Sequence, residues 1–251
     1  MRAPFSFLGQ LPPFLPTSIS GCVLWLKSDL GITTAAGKVS AWADQSGAGI
    51  VPSYTQALAG SQPVYTANGG PNNVPYLTGA LGTILSSGTT LLTAPGRTIV
   101  CAGKGYNDGF GTAPLGTVFT NKTAAQLYTV QCIYTGGHRY LYSDASAVNI
   151  EDASLPNATL FNPFVLDFNS NGNGSALNVF LNGGTVLPTT GGTVQNEGGA
   201  AGSSVMGRAD NGLQGWLGDM FEIIAYNRVL SGAELSLVRA GVARRYGITV
   251  T

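Results

Sequence analysis

"GWLGDMFEIIAYNRVLSGAELSLVRAGVARRYGI", residues 215–248, decides how this chain is read. Its first part alternates apolar and polar residues at the period of a strand, and a tight turn then leads into one amphipathic helix. Ser231 suits the N-cap, and Glu234 three residues on completes a capping box. Leu235, Val238, Val242 and Tyr246 recur at helical spacing on one face. Arg239, Arg244 and Arg245 suit the negative end of the helix dipole, and Gly247 fits a left-handed stop. No other stretch carries a helix signal of this strength.

Working outward, "GCVLWLKS", "RTIVCAGK", "QLYTVQCIYT", "FVLDFNS" and "ALNVFLNGGTV" are short apolar or alternating runs separated by Gly, Asn, Pro and Ser. Such spacing predicts many antiparallel strands. "YTGGHRY" reads as a hairpin with a two-residue turn at Gly136 and Gly137, and "FLNGGTV" as a tight turn at Asn182 to Gly184. Many strands and one terminal helix predict an all-β antiparallel sandwich with the helix packed on an edge or face.

Twelve Lys and Arg balance twelve Asp and Glu, and charged residues are only 10% of the 251. Without clustered cations the chain is not expected to bind nucleic acid or an anionic membrane surface. No stretch approaches the ~18 apolar residues of a membrane span. Cys22, Cys101 and Cys132 are widely spaced and lie in strand-like contexts, which predicts three buried, reduced thiols. No metal cluster is expected.

Residues 1–17 differ from the body at 18–251. Pro4, Pro12, Pro13 and Pro16 break the segment, while Phe5, Phe7, Leu8, Leu11, Phe14 and Leu15 load it with apolar groups. It either lies back across its own domain or forms an extended arm that docks on a partner. The prolines and polar residues also deny it the uninterrupted apolar run of a signal peptide, so synthesis and retention in a cytoplasm are expected.

"LWLKSDLGITTAAGKVSAWADQSGAG" (24–49) resembles the opening of concanavalin A-like, laminin-G-like jelly-roll domains, with a Leu-Trp-Leu strand and a Trp-x-Asp-x-Ser-Gly turn. "NGGPNNVPYLTG" (68–79) resembles a loosened form of that family's next block, and residues 215–248 its ending. Trp25 and Trp42 then read as core anchors, and Asp44 with Ser46 and Gly47 as an Asx-type turn. The resemblance also brings calcium to Asp44, but several oxygen ligands would have to converge there and no clustered acidic loop is present.

The same fold includes glycoside hydrolases, which carry Glu-x-Asp-x-x-Glu on one strand. On that alignment Asp219 and Glu222 match two of the acids, while the first is Leu217. On a two-residue period Asp219 and Glu222 face opposite ways unless a bulge intervenes, so both read as rim or turn residues. His138 is the only histidine, and no G-x-S-x-G elbow, H-E-x-x-H or P-loop exists. The chain is therefore expected not to be an enzyme and to need no cofactor.

A binding surface is suggested by His138, Tyr140 and Tyr142, which alternate onto one face beside Tyr128 and Tyr134 and could stack on sugars; filling the space between two sheets is their other role. Laminin-G-like jelly rolls of this abbreviated kind also occur in phage structural proteins. The first functional expectation is accordingly a virion structural protein assembled in a host cytoplasm. It would be a capsid decoration, fibre or tail component held by its arm to other virion proteins such as the major capsid protein. A closed homo-oligomer, a trimer by the symmetry of such positions, goes with it. The alternative is a carbohydrate-binding or adhesion module of a bacterial surface protein, meeting a host-surface glycan.

Overall fold

The computed structural model describes residues 14–93, 96–106, 116–122, 127–134, 138–143, 150–151, 162–170, 177–186, 189–190, 202–207 and 215–251. For residues 122, 127–134, 138–143, 150–151, 170, 177, 186 and 189–190 only the backbone is described. The chain begins with β1 (Cys22–Lys27), β2 (Ile32–Ala35), β3 (Lys38–Ala43), β4 (Ser53–Thr55), β5 (Val64–Thr66) and β6 (Tyr76–Gly79). Next come β7 (Leu85–Ser87), β8 (Arg97–Gly105), β9 (Gly116–Lys122), β10 (Leu127–Tyr134), β11 (His138–Ser143) and β12 (Ile150–Glu151). Then follow β13 (Phe164–Ser170), β14 (Leu177–Leu181), β15 (Gly184–Val186), β16 (Thr189–Thr190), β17 (Gly202–Val205) and β18 (Gly218–Tyr226). The helix α1 (Gly232–Tyr246) closes the fold.

All strand pairs are antiparallel. One path runs β11-β10-β9-β17-β7-β4-β3-β5-β6-β18-β8-β13-β14-β15, with β1 on β18 and β2 on β3. This ladder doubles over on itself. Trp42, Tyr54, Leu85, Phe119 and Val205 from its first half share one buried cluster with Leu24, Leu77, Ile99, Phe164, Leu166 and Ile223 from its second. Alternation along each strand supplies those inward side chains, and burial of each large one contributes about 1.5–3 kcal/mol. The expected all-β sandwich with a C-terminal helix is the observed fold.

The second half of the ladder has its other face under α1. Leu235, Val238, Val242 and Tyr246 pack on Val100, Ala102, Val165, Phe221, Ile224 and Tyr226. Phe221 stacks on Tyr246 with ring centroids 5.3 Å apart. The Ser231 and Glu234 capping box forms in full, and Gly247 closes the helix at φ 62°. That left-handed stop lets its amide reach back to the carbonyls of Ala243 and Arg244. Arg239, however, is not a terminal dipole charge. It lies mid-helix and buried, its Nε and Nη2 donating to the two oxygens of Asp167 at 3.0 and 2.9 Å. Its guanidinium also covers the Phe180 ring. Burial pushes the Asp167 carboxyl up, and Arg239 opposes it.

Two hairpins compare differently with expectation. Leu181 pairs with Gly184, so the second closes on Asn182 and Gly183 alone. In the first, Tyr134 pairs with His138, a register that leaves three residues between the paired ends where the Gly136–Gly137 turn needs two. Cys101 is buried and Cys22 half-buried, neither in a disulfide. Burial, with Asp44 nearby, pushes the Cys22 thiol up to about 12. The Cys132 side chain lies outside the described residues.

Candidate functional site

The acids of β18 are the natural place to look for chemistry, and the strand does not keep a simple period there. Met220 pairs with Gly103 of β8 and Glu222 with Ala102, so Phe221 is an extra residue and the strand bulges. Asp219 stands opposite Lys104 and Glu222 opposite Ala102, two positions apart on β8. Asp219 and Glu222 therefore share the helix-facing side. Neither is the rim residue that alternation predicts: Asp219 is 5% exposed and Glu222 wholly buried.

Glu222 is sealed. The Trp25 indole N–H donates to its Oε1 at 2.5 Å, and Arg245 Nη1 donates to both of its oxygens, reaching Oε2 at 2.6 Å. The guanidinium also lies over the Trp25 ring. Burial pushes the Glu222 carboxyl up against the opposing pull of Arg245, Trp25 and Lys27. Trp25 is the buried anchor that its motif implies, although it lies under α1 and spends its polar edge on this acid. Trp42 is buried between the layers.

The other arm of Arg245 holds the start of the described chain. Its Nη2 donates to the Phe14 carbonyl at 2.9 Å, and the Tyr226 hydroxyl donates to that of Pro16 at 3.0 Å. The Phe14 ring fits against Gly241 so closely that a Cβ there would fall 2.2 Å from its Cδ1. Of the six apolar residues picked out in residues 1–17, Phe14 thus lies on the domain's own helix and Leu15 is 48% exposed. Phe5, Phe7, Leu8 and Leu11 lie outside the described residues.

Asp219 has different company. Thr78 Oγ1 donates to its Oδ1 at 2.8 Å and the Tyr106 hydroxyl to its Oδ2 at 2.5 Å. Desolvation, and then that bond to Asp219, raises the Tyr106 hydroxyl above its ordinary range. The Lys104 ammonium stands 5.5 Å from the Tyr106 ring centre. Register aligns Val64, Thr78, Asp219 and Lys104 in one row across β5, β6, β18 and β8. Tyr76 borders the row, edge-on to Phe221. Thr78, Lys104, Tyr106 and Tyr76 are half-buried, so the row meets solvent.

Asp44 forms the turn its motif implies. Its Oδ1 accepts from the amides of Trp25 and Ser46, at 2.8 and 2.9 Å, and its Oδ2 from the Ser46 hydroxyl. Among the described residues, no group of three His, Cys, Asp or Glu could hold a metal ion. No helix among them is long and apolar enough to cross a membrane. The register sets His138, Tyr140 and Tyr142 opposite Tyr134, Cys132 and Val130, but all these side chains lie outside the described residues.

Sequence reasoning missed the row around Asp219 and the Asp167–Arg239 pair. Arg239 offered a signal: it is four residues after Leu235 and three before Val242, so it falls on the buried stripe, where a charge must find a partner. Tyr106 and Lys104 offered none, because their meeting with Asp219 depends on pairing between distant strands.

No family model and no curated protein matches the chain. Solved structures do. Domain 4 of AbnA, a GH43 extracellular arabinanase from Geobacillus stearothermophilus in complex with arabinotriose, is similar at 11% identity and TM-score 0.56, over 86% of this chain and 97% of that one. The binding domain of Paraclostridial Mosquitocidal Protein 1 is similar at 11% identity and TM-score 0.57, over 90% and 52%. The botulinum neurotoxin serotype D binding domain gives 12% and 0.55, over 92% and 54%. This chain therefore spans about half the length of the two toxin domains. At such identities the likeness establishes a shared β-sandwich fold.

Proposed function

We propose that the chain is a non-enzymatic carbohydrate-binding β-sandwich module. The observation that carries this reading is the contrast between the two acids of β18. Glu222 lies beneath α1 with both oxygens held by Arg245, out of reach of any substrate. Asp219 lies in a row of hydroxyl, ammonium and aromatic groups that meets solvent. Hydrolysis of a glycosidic bond needs two carboxylates at a defined separation on either side of it. A surface of fixed polar groups beside aromatic rings suits binding without reaction. The arabinotriose complex of the AbnA domain supports choosing sugars as the ligands to test.

The test is binding of arabinotriose, xylotriose and cellotriose by calorimetry, with reducing-sugar release followed in parallel. Saturable binding without release is the expected result; release that disappears in Glu222→Gln overturns the non-enzymatic reading.

The laminin-G-like assignment and the place on a virion belong to the same proposal at finer grain. A decoration, fibre or tail protein carrying such a module would attach through residues 1–13, since Phe14 and Pro16 are already engaged by the domain. Removing residues 2–13 should then abolish incorporation into particles, and undiminished incorporation overturns that placement.

A further inference from the structure

The hydrogen-bond polarity of the Asp219 row specifies a class of ligand. Asp219, as a carboxylate, can only accept, so the Thr78 and Tyr106 hydroxyls both spend their protons on it. Each hydroxyl oxygen keeps lone pairs that can accept, and both residues are half-buried. Lys104 contributes the opposite kind of group, a three-proton donor held over the Tyr106 ring with no carboxylate partner among the described residues. Val64 at one end of the row is 45% exposed, and Tyr76 lies alongside, so the flank is apolar.

We infer that the row Val64–Thr78–Asp219–Lys104, with Tyr106, seats a short stretch of an uncharged, hydroxyl-rich oligosaccharide, since three strand spacings of about 4.8 Å separate its ends. A sugar hydroxyl donates to Tyr106 or Thr78, an oxygen toward one end of the oligosaccharide accepts from Lys104, and the apolar face of a ring toward the other end rests on Val64 and Tyr76. This inference rests on the carbohydrate-binding reading above. Asp219 is a positioning residue: it touches no ligand atom but fixes the direction of the two hydroxyl protons. Asp219 and Lys104, opposite each other in the register, leave the row without net charge, which gives an acidic sugar no net attraction there.

The experiment measures binding of arabinotriose, xylotriose, cellotriose and trigalacturonate to the wild type and to Lys104→Ala, Tyr106→Phe, Tyr106→Ala and Asp219→Asn, with thermal unfolding of each. Expected are binding of at least one neutral trisaccharide and none of trigalacturonate, at least tenfold weaker binding in Lys104→Ala and Tyr106→Ala, and a smaller loss in Tyr106→Phe. The effect of Asp219→Asn on affinity should shrink in the Tyr106→Phe background, which a general loss of folding would not produce. Neutral-sugar binding untouched by Lys104→Ala and Tyr106→Ala overturns this seat and leaves the carbohydrate-binding reading standing. Preference for trigalacturonate overturns the ligand class. Binding of none of the four sinks both.

Discussion

Glu222 and Asp219 leave the same face of one strand, yet the first is closed over by α1 and the second lies beyond the helix among hydroxyls. Under the helix, among the described residues, each buried acid has a cation: Glu222 with Arg245, Asp167 with Arg239. In each pair the carboxylate is shut off from water, where an unpaired ion would be expensive. Beyond the helix, Lys104 faces a ring and solvent. Covering is what separates a carboxylate that belongs to the framework from one that can shape a surface.

The largest effect should come from breaking a covered pair. Arg245→Ala leaves Glu222 buried without its cation and should cost about 3–5 kcal/mol in urea unfolding at neutral pH. The sign of its pH dependence follows from the raised Glu222 carboxyl. The folded state then takes up the proton more readily than the unfolded one, so the deficit should start to shrink while the pH is still above 4.5, the ordinary glutamate value, and level off below it. A deficit independent of pH would show that Glu222 is less enclosed than the structure indicates.

Gly241→Ala comes next. The added carbon meets the Phe14 ring, and overpacking of this kind costs about 1–3 kcal/mol. Phe14→Ala in the same chain should recover most of the loss if the ring is the obstacle. Lack of recovery would place the strain in the helix itself.

Glu234 at the exposed helix start has a carboxyl lowered to about 2, by Arg228 first and then by Ser231. A lowered acid stabilises the fold above its unfolded value of 4.5 and loses that contribution as pH falls toward 2. Melting temperatures of wild type and Glu234→Gln should therefore differ at pH 6 and converge near pH 2. The smallest effect is expected from Lys104→Ala, within about 0.5 kcal/mol, because that side chain is outside the covered half. A larger loss would make Lys104 part of the framework and erase the contrast.

What could be read in the sequence was what depends on neighbours along the chain. Ser231 and Glu234, the Leu235–Tyr246 stripe, Gly247 and the Asp44–Ser46 turn are all settled within a few residues, and each lies where its pattern puts it. Strand number and alternation were enough for the sandwich. The positions of Glu222 and Asp219 were not legible, since the bulge at Phe221 arises from how β18 meets β8, more than a hundred positions earlier. The Phe14 seat was equally hidden: it joins residues 227 positions apart through a missing side chain at Gly241.

The extra residue at Phe221 makes the length of β18 a specification. Removing any one residue between Asp219 and Glu222 would restore a strict two-residue beat, with both acids still on the helix-facing side. What would be lost is the aromatic floor beneath the helix, because Phe221 would be either gone or turned between the layers. Homologues that keep the helix should therefore vary the amino acids in this stretch far more freely than their number.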